Sequence, residues 1–338
     1  MLRNVIRSTA MSAAVIAALG AGVAAKAETL ADALVGAYET SGLLDQQRAL
    51  LRVADEDVAQ SVAALRPILS WAYSAQYTNP QGFQQDSINS NLQLTADLVL
   101  WNAGRRLLTI ESQKELVLAT RQGLVSAEQS ILLRAVEAFM SVRRDVEILS
   151  LRQNNVRLIT QELRAARDRF EVGEVTRTDV AQAEARLASA RAELALASGN
   201  VDIAREEYLA VIGRLPGQLV APRGLQQTAS SEDEAKQVAQ RGHTDLQQAQ
   251  LEVRVADLNV RVARAAMQPT LSAQGTATWD DETFNGTETL SLNFGGPIYR
   301  GGELTSLVRQ AQQRAVASRA NVHIVSEQII QGVGNAYA

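Results

Sequence analysis

Few residues of this 338-residue chain could carry acid–base, nucleophilic or metal chemistry. The two histidines, His243 and His323, lie far apart in sequence without an acidic or nucleophilic partner pattern, and we expect each to be a polar helix residue. Cysteine is absent, which excludes thiolate metal sites, cysteine nucleophiles and an acylated N-terminal cysteine. No Gly-x-Ser-x-Gly, His-Glu-x-x-His or P-loop motif occurs. We therefore expect no enzyme, no metal site and no cofactor.

Charge and composition narrow the class of protein further. The formal net charge is −4, and the basic residues are dispersed among acids, so nucleic acid is not an expected partner. Residues 1–27 combine Arg3 and Arg7 with an alanine-rich apolar stretch and the small residues of Ala25-Lys26-Ala27. This pattern is typical of a signal peptide, and we expect cleavage after Ala27.

The remaining polar residues of interest lie in segments that alternate between polar and apolar side chains. The alternation predicts two strands at Pro67–Thr78 and Ile88–Trp101, and two more in the second half of the chain. Such strands suit either a soluble sheet with one wet face or a membrane barrel with a water-filled lumen. In a barrel the lumen-facing candidates are Ser70, Gln76, Gln93, Thr95, Asp97, Gln274 and Thr276.

Four strands cannot close a barrel alone, because about eight are needed. If a barrel forms, several chains must share it. Asp97 would then be either a selectivity residue or a solvated carboxylate without special function.

Long helices connect these strands. The sequence predicts helices at Leu30–Leu65 and Glu232–Met267, each ended by a proline. A third helix, from Asn102 to Phe170, would extend roughly 100 Å. Its second half carries a heptad seam that includes Val146 and Phe170 but becomes polar toward Arg167, and heptads resume from Val180. With Gly173 as the turn, the pattern predicts an antiparallel helical hairpin.

The chain also repeats itself. Residues 50–70 align with 252–272, and Leu100–Gly104 aligns with Ile298–Gly302. We divide the mature chain into a first repeat at 28–215, a linker at 216–231 and a second repeat at 232–338. The second copy stops about 70 residues before the first does, so we expect a C-terminally truncated form.

Two motifs resemble those of the TolC family of outer-membrane efflux and secretion channels. One runs from Arg169 to Val180 across the hairpin turn, and the other is Pro297-Ile298-Tyr299-Arg300-Gly301-Gly302 after a strand. The resemblance implies a mainly α fold with a membrane β part. Three chains of such a homotrimer share a twelve-stranded barrel, while long antiparallel coiled-coil helices form a tunnel across the periplasm.

The resemblance also implies partners and site residues. The protein would lie in the outer-membrane lipid and work with a periplasmic adaptor and an inner-membrane ABC or proton-driven transporter. The adaptor-docking tip would comprise Val172, Gly173, Val175 and Thr176. Thr178 and Asp179 would tie neighbouring coiled coils together in the closed state, although both residues could equally just start the second helix. The family's acidic constriction ring belongs to a second hairpin beyond this sequence.

The sequence leaves two choices open. The absence of cysteine agrees better with unacylated members, many of which serve type I secretion, than with lipid-anchored drug-efflux channels. The alternative outside this family is a periplasmic adaptor or structural coiled-coil protein. An adaptor would carry one hairpin between small β domains, whereas strand pairs interrupt these helices twice.

Overall fold

The chain forms seven helices and four strands within the residues that the computed structural model describes, which are 28–79, 87–222, 224, 229–280 and 286–337. The helices are α1 (Leu30–Thr40), α2 (Gly42–Ala63), α3 (Arg105–Glu171), α4 (Arg177–Ile212), α5 (Glu232–Gly242), α6 (Thr244–Ala265) and α7 (Glu303–Tyr337). The strands are β1 (Ile68–Thr78), β2 (Ser87–Trp101), β3 (Thr270–Asp280) and β4 (Gly286–Gly295). The expected mainly helical fold with four antiparallel strands is confirmed. The predicted signal peptide, and parts of the predicted linker and of both strand-connecting loops, lie outside the described residues.

The internal duplication is confirmed, and the two copies agree even at single turns. Strand β2 passes into α3 through Ala103 and Gly104, whose φ angles are 52° and 75°. Gly301 and Gly302 occupy the corresponding turn before α7, with φ angles of 57° and 88°. Two successive left-handed residues favour glycine, because a Cβ in this conformation crowds the following carbonyl. Ala103 therefore carries backbone strain that Gly301 avoids.

The first helix of each copy is broken, where the sequence predicted a continuous helix. The breaks fall at Ser41 and His243, which correspond in the two copies, and both residues have extended backbone with ψ of 104° and 128°. Ser41 Oγ accepts from the N–H of Leu44 (3.4 Å), and His243 Nδ1 accepts from the N–H of Asp245 (3.3 Å). Each residue thus satisfies an N–H that has no partner within the new helix. His243 is a helix cap rather than an interior helix residue.

Contacts divide the described residues into two compact units. One lies within Met1–Leu44 and Glu128–Gln226, and the other within Asp45–Ala127 and Gln227–Ala338. The first unit contains α1, α4 and the second part of α3. The second unit contains the sheet, most of α2, the first part of α3, and α5 to α7.

The first unit is the predicted helical hairpin, with α1 packed against the end of α4. Its buried core comprises Ala135, Phe139 and Val142 on α3 and Val201, Ala204, Tyr208 and Ile212 on α4. Val146 and Phe170, also predicted in the seam, are each 44% exposed. A straight helix drifts about 20° per heptad, which turns a strict seven-residue series out of the contact, and Phe170 lies in the last turn of α3.

The second unit is built on one antiparallel sheet in the order β1-β2-β3-β4. Each strand pairs with the next along the chain, so β1 and β4 are the edges. The ladder of β2 with β3 shifts between Val99 and Trp101, and this bulge places Trp101 opposite Leu271. Helix α6 packs along α7, and Ser112 Oγ on α3 donates to Asn259 Oδ1 on α6 (3.0 Å).

Candidate functional site

The tip of the α3–α4 hairpin is a tight turn closed by its own backbone. The N–H groups of Gly173 and Glu174 donate to the carbonyls of Phe170 (3.0 Å) and Arg169 (2.9 Å). Gly173 has a φ of 83°, which its lack of a Cβ permits. This pair of bonds is a Schellman motif, which ends a helix without a long loop. The turn is therefore short and defined by hydrogen bonds.

The four predicted docking residues all lie on this turn. The side chain of Val172 is 72% exposed, although burying a valine side chain is favourable in free energy. Gly173 and Thr176 are also exposed, and Val175 is half-buried. The tip thus presents an apolar side chain on a fixed backbone.

The two residues predicted to tie neighbouring coiled coils lie in the first turn of α4. The N–H and the hydroxyl of Thr176 both donate to Asp179 Oδ2 (2.8 Å each), and the N–H of Asp179 donates to Thr176 Oγ1 (3.3 Å). This is a capping box, and Thr176 rather than Thr178 is the N-cap. The bond from the Thr176 backbone N–H, followed by that from its hydroxyl, lowers the pKa of Asp179. The Thr-x-x-Asp spacing could have identified this cap from the sequence.

Three ion pairs join α3 to α4 along the hairpin. They are Arg134–Glu207 (2.8 Å), Arg152–Glu193 (2.6 Å) and Arg167–Glu184 (2.5 Å). Their side chains are 44–62% exposed, so each pair contributes only about 0–1 kcal/mol. Arg167, which the sequence placed in a polar seam near the tip, is one partner of the pair nearest the turn.

The seven predicted lumen residues share one face of the sheet. Ser70 lies opposite Thr95, and Thr95 lies opposite Thr276. The others, Gln76, Gln93, Asp97 and Gln274, follow at even spacings along the same strands. Gln274 Nε2 donates to Asp97 Oδ1 (2.8 Å) and orients this carboxylate, which lies opposite Ile68 near the helix end of the sheet.

The opposite face of the sheet is apolar and open. Leu69 is 79% exposed, Trp71 73% and Leu290 83%. Glu288 is an acidic exception on this face, opposite Ala277 and close to the end of the strands that is remote from the helices. The described sheet thus has one polar face suited to contact with water and one apolar face suited to contact with lipid.

Sequence reasoning missed a cluster around Glu28. Arg214 Nε donates to Glu28 Oε1 (2.8 Å), and the N–H of Gly217 donates to Oε2 (3.2 Å). Burial alone would raise the pKa of Glu28, but Tyr208, Arg214 and Gly217 together lower it. Burial, and then the Glu28 carboxylate, raises the pKa of Tyr208. No local sequence pattern connects positions so far apart in the chain.

Among the described residues, no cluster of three or more His, Cys, Asp or Glu side chains could hold a metal ion. The described helices include none that is both long and apolar enough to span a bilayer.

Comparison with known proteins gives consistent similarities. The family model described as outer membrane efflux protein matches residues 35–214 and 236–338. The outer membrane efflux protein BepC of Brucella suis biovar 1 (strain 1330) is 32% identical over 325 residues, covering 94% of this chain and 71% of BepC. The outer membrane protein TolC of Salmonella enteritidis is 26% identical over 308 residues, covering 84% of this chain. This chain spans 62% of the length of that TolC.

A solved structure of CusC, studied for folding and transmembrane channel formation, superposes with a TM-score of 0.75. The alignment covers 90% of this chain and 72% of CusC at 18% identity, and it shows a common fold.

Proposed function

This chain belongs to the outer membrane efflux protein family, and we propose that three copies of it form an efflux or secretion channel with one shared barrel. The family places it in the outer membrane, with its helical part in the periplasm, and makes it a channel protein rather than an enzyme. The observation that carries the trimer proposal is the sheet. One face is apolar and exposed, the other is polar, and β1 and β4 are edge strands. Three copies supply twelve strands, which closes the barrel and removes every edge.

In this assembly the polar face lines the lumen. Ser70, Gln76, Gln93, Thr95, Gln274 and Thr276 offer uncharged hydrogen-bonding groups to water. Asp97 adds one carboxylate per copy, oriented by Gln274. A wide lumen of this chemistry passes polar solutes with little selection of its own, so we assign the choice of cargo to the transporter.

We assign adaptor docking to the hairpin tip, at Val172, Gly173, Val175 and Thr176. The exposed Val172 on a hydrogen-bonded turn supports this assignment, because a rigid apolar side chain loses little entropy on docking. An inner-membrane ABC or proton-driven transporter completes the proposed pathway. The alternative of a periplasmic adaptor is set aside because the chain matches a channel family.

We also propose that Thr178 and Asp179 tie neighbouring coiled coils in the closed channel. The capping box occupies Asp179 Oδ2 only. Oδ1 accepts no hydrogen bond from the described residues and is free to receive a donor from another coiled coil. The cap and the tie can therefore coexist on one carboxylate.

The same proposal covers processing and cargo. Residues 1–27 act as the export signal, and 28–215 and 232–338 are the two repeats joined by the linker 216–231. We propose type I secretion as the pathway, which the lack of a cysteine for acylation supports. Expression of the full-length protein with either an ABC exporter and its secreted protein or a proton-driven drug pump separates secretion from efflux.

Cross-linking and planar-bilayer recording of the full-length protein test the channel itself. We expect a trimer in the outer-membrane fraction that conducts weakly without its partners. Asp179→Ala should raise single-channel conductance at unchanged trimer yield. Glu206→Ala, which removes an exposed acid elsewhere on α4, serves as the matched control. A soluble monomer with no membrane fraction would refute the barrel. If Asp179→Ala leaves the conductance unchanged but lowers the thermal stability, Asp179 only caps α4 and does not tie neighbouring coiled coils.

A further inference from the structure

Cations are confined to one end of the sheet. No lysine or arginine occurs in residues 67–104 or 265–299, which include all four strands and both strand-connecting loops. Arginines return at once where the strands meet the helices. Within one helical turn of the four connections there are five, namely Arg66, Arg105, Arg106, Arg264 and Arg300, against one acid, Glu303.

Four of these arginines are available to a ligand. Arg66, Arg105, Arg264 and Arg300 are exposed and form no ion pair with any described residue. Arg106 is half-buried and donates to the carbonyls of Val99 (2.6 Å) and Ala64, so it holds the connection together instead.

Exposed apolar and aromatic side chains accompany the arginines in both copies. Trp101 is 47% exposed after Leu100, and Tyr299 is 84% exposed after the fully exposed Ile298. The two aromatic positions correspond in the repeat. Tryptophan and tyrosine concentrate at the level of lipid headgroups, where the ring is half in hydrocarbon and the polar atom is in water.

A pocket of about 480 Å³ opens beside Arg105 and Arg106, between the end of α2 and the start of α3. Its lining is otherwise polar, with hydroxyl and amide groups that include Ser61 and Thr109. Asp57 also lines it and opposes an anion. Arg105 is the guanidinium available to bind one, while Arg106, committed to two backbone carbonyls, contributes only its positive charge. A phosphate headgroup is small enough for this space.

We propose that the junction surface binds the anionic headgroups of phospholipids in the inner leaflet of the outer membrane. The junction surface is defined as Arg66, Arg105, Arg264 and Arg300 together with Trp101 and Tyr299. The inference rests on the proposed function, because the strands must cross the bilayer for this end to lie at its periplasmic side. An anionic partner complements the positive charge of the junction surface. The other end of the strands carries Asp280 and Glu288 instead of cations and lacks this complementarity.

The test uses native mass spectrometry of the full-length protein in detergent, titrated with phosphatidylglycerol or phosphatidylcholine of the same acyl chains. Wild type should retain phosphatidylglycerol preferentially. Each arginine near a charged lipid surface contributes roughly fivefold, so Arg105→Gln with Arg300→Gln should weaken phosphatidylglycerol retention about 25-fold. Neither side chain has a described partner, so the substitutions leave internal hydrogen bonds intact. Arg191→Gln removes the same charge from an exposed position on α4, away from the junction surface, and should not change phosphatidylglycerol retention.

Several results would overturn the inference. They are equal retention of the two phospholipids by wild type, an equal loss in Arg191→Gln, retention of phosphatidylglycerol that is insensitive to added salt, and stronger retention of lipopolysaccharide than of phosphatidylglycerol. The same spectra report oligomeric state. A wild-type protein that prefers phosphatidylglycerol but forms no trimer would contradict the proposed channel while leaving the lipid site standing.

Discussion

A cation placed on either side of β2 distinguishes a membrane barrel from a soluble sheet. Leu94 is the central residue of the 15-residue strand Ser87–Trp101, so it lies roughly 23 Å along the strand from each end at 3.3 Å per residue. It lies opposite Trp71 on β1 and Ala277 on β3, on the apolar face. In the proposed barrel this is near the middle of the hydrocarbon. Gln93, its neighbour, lies on the polar face.

The expected difference in assembly between Leu94→Arg and Gln93→Arg follows from where each new charge lies relative to the hydrocarbon. An arginine at the bilayer midplane costs about 2–4 kcal/mol per copy in a barrel, so Leu94→Arg costs roughly 6–12 kcal/mol in a trimer. Gln93→Arg adds the same charge one position away and meets water, at a cost of about 0–1 kcal/mol. The two variants are matched in strand, charge and side-chain size, so a difference in yield reports the environment of the face.

Trimer yield in outer-membrane fractions, measured by cross-linking, is the assay. We expect Gln93→Arg to assemble at the wild-type level and Leu94→Arg to be depleted from the membrane. Equal yields from the two variants would refute either the barrel or the assignment of faces. Depletion of Gln93→Arg alone would mean that the faces are inverted, because a one-residue slip exchanges every side chain between them.

Three further predictions address the helical parts. Thr176→Ala should lower the free energy of unfolding by about 1 kcal/mol through the lost cap, and it should return the pKa of Asp179 toward its ordinary value, as NMR titration would show. Because the pKa of Glu28 is lowered on folding, its stabilisation is complete above the unfolded value of 4.5 and is lost as pH falls through the folded pKa. Thermal melts of wild type and Glu28→Gln should therefore converge at acid pH and differ at neutral pH. Gly104→Ala should cost roughly 1–2 kcal/mol from backbone conformation alone, since its new Cβ meets no atom within 4 Å, whereas Ala103→Gly should not destabilise the protein.

Hydrophobic periodicity and the positions of glycine and proline made most of the secondary structure predictable. The strands could be predicted because one face is apolar except at Glu288, and the hairpin because Gly173 lies between two heptad runs. Trp101 could not be assigned to its face from alternation, because the bulge after Val99 shifts the register by a residue. The helix breaks at Ser41 and His243 were missed because neither a serine nor a histidine within a helical pattern is a strong breaker.

The candidate site was less predictable than the fold. The local capping box at Thr176 followed a known spacing and could have been found. The pair of Glu28 and Arg214 could not, because only the folded chain brings together positions 186 residues apart. The seam residue Val146 shows the limit of heptads, which predict a contact face but not its rotation along a long helix.

The ion pairs of the hairpin also restrict which helices can associate. Every arginine of the three pairs belongs to α3 and every glutamate to α4. Two α3 helices brought side by side would set arginine against arginine, and two α4 helices would set glutamate against glutamate. Each pair adds little stability, yet like charges would meet at three levels in either homotypic pairing. In a ring of many similar helices, this distribution of charge favours α3 beside α4, because at these three levels only that pairing avoids repulsion between like charges.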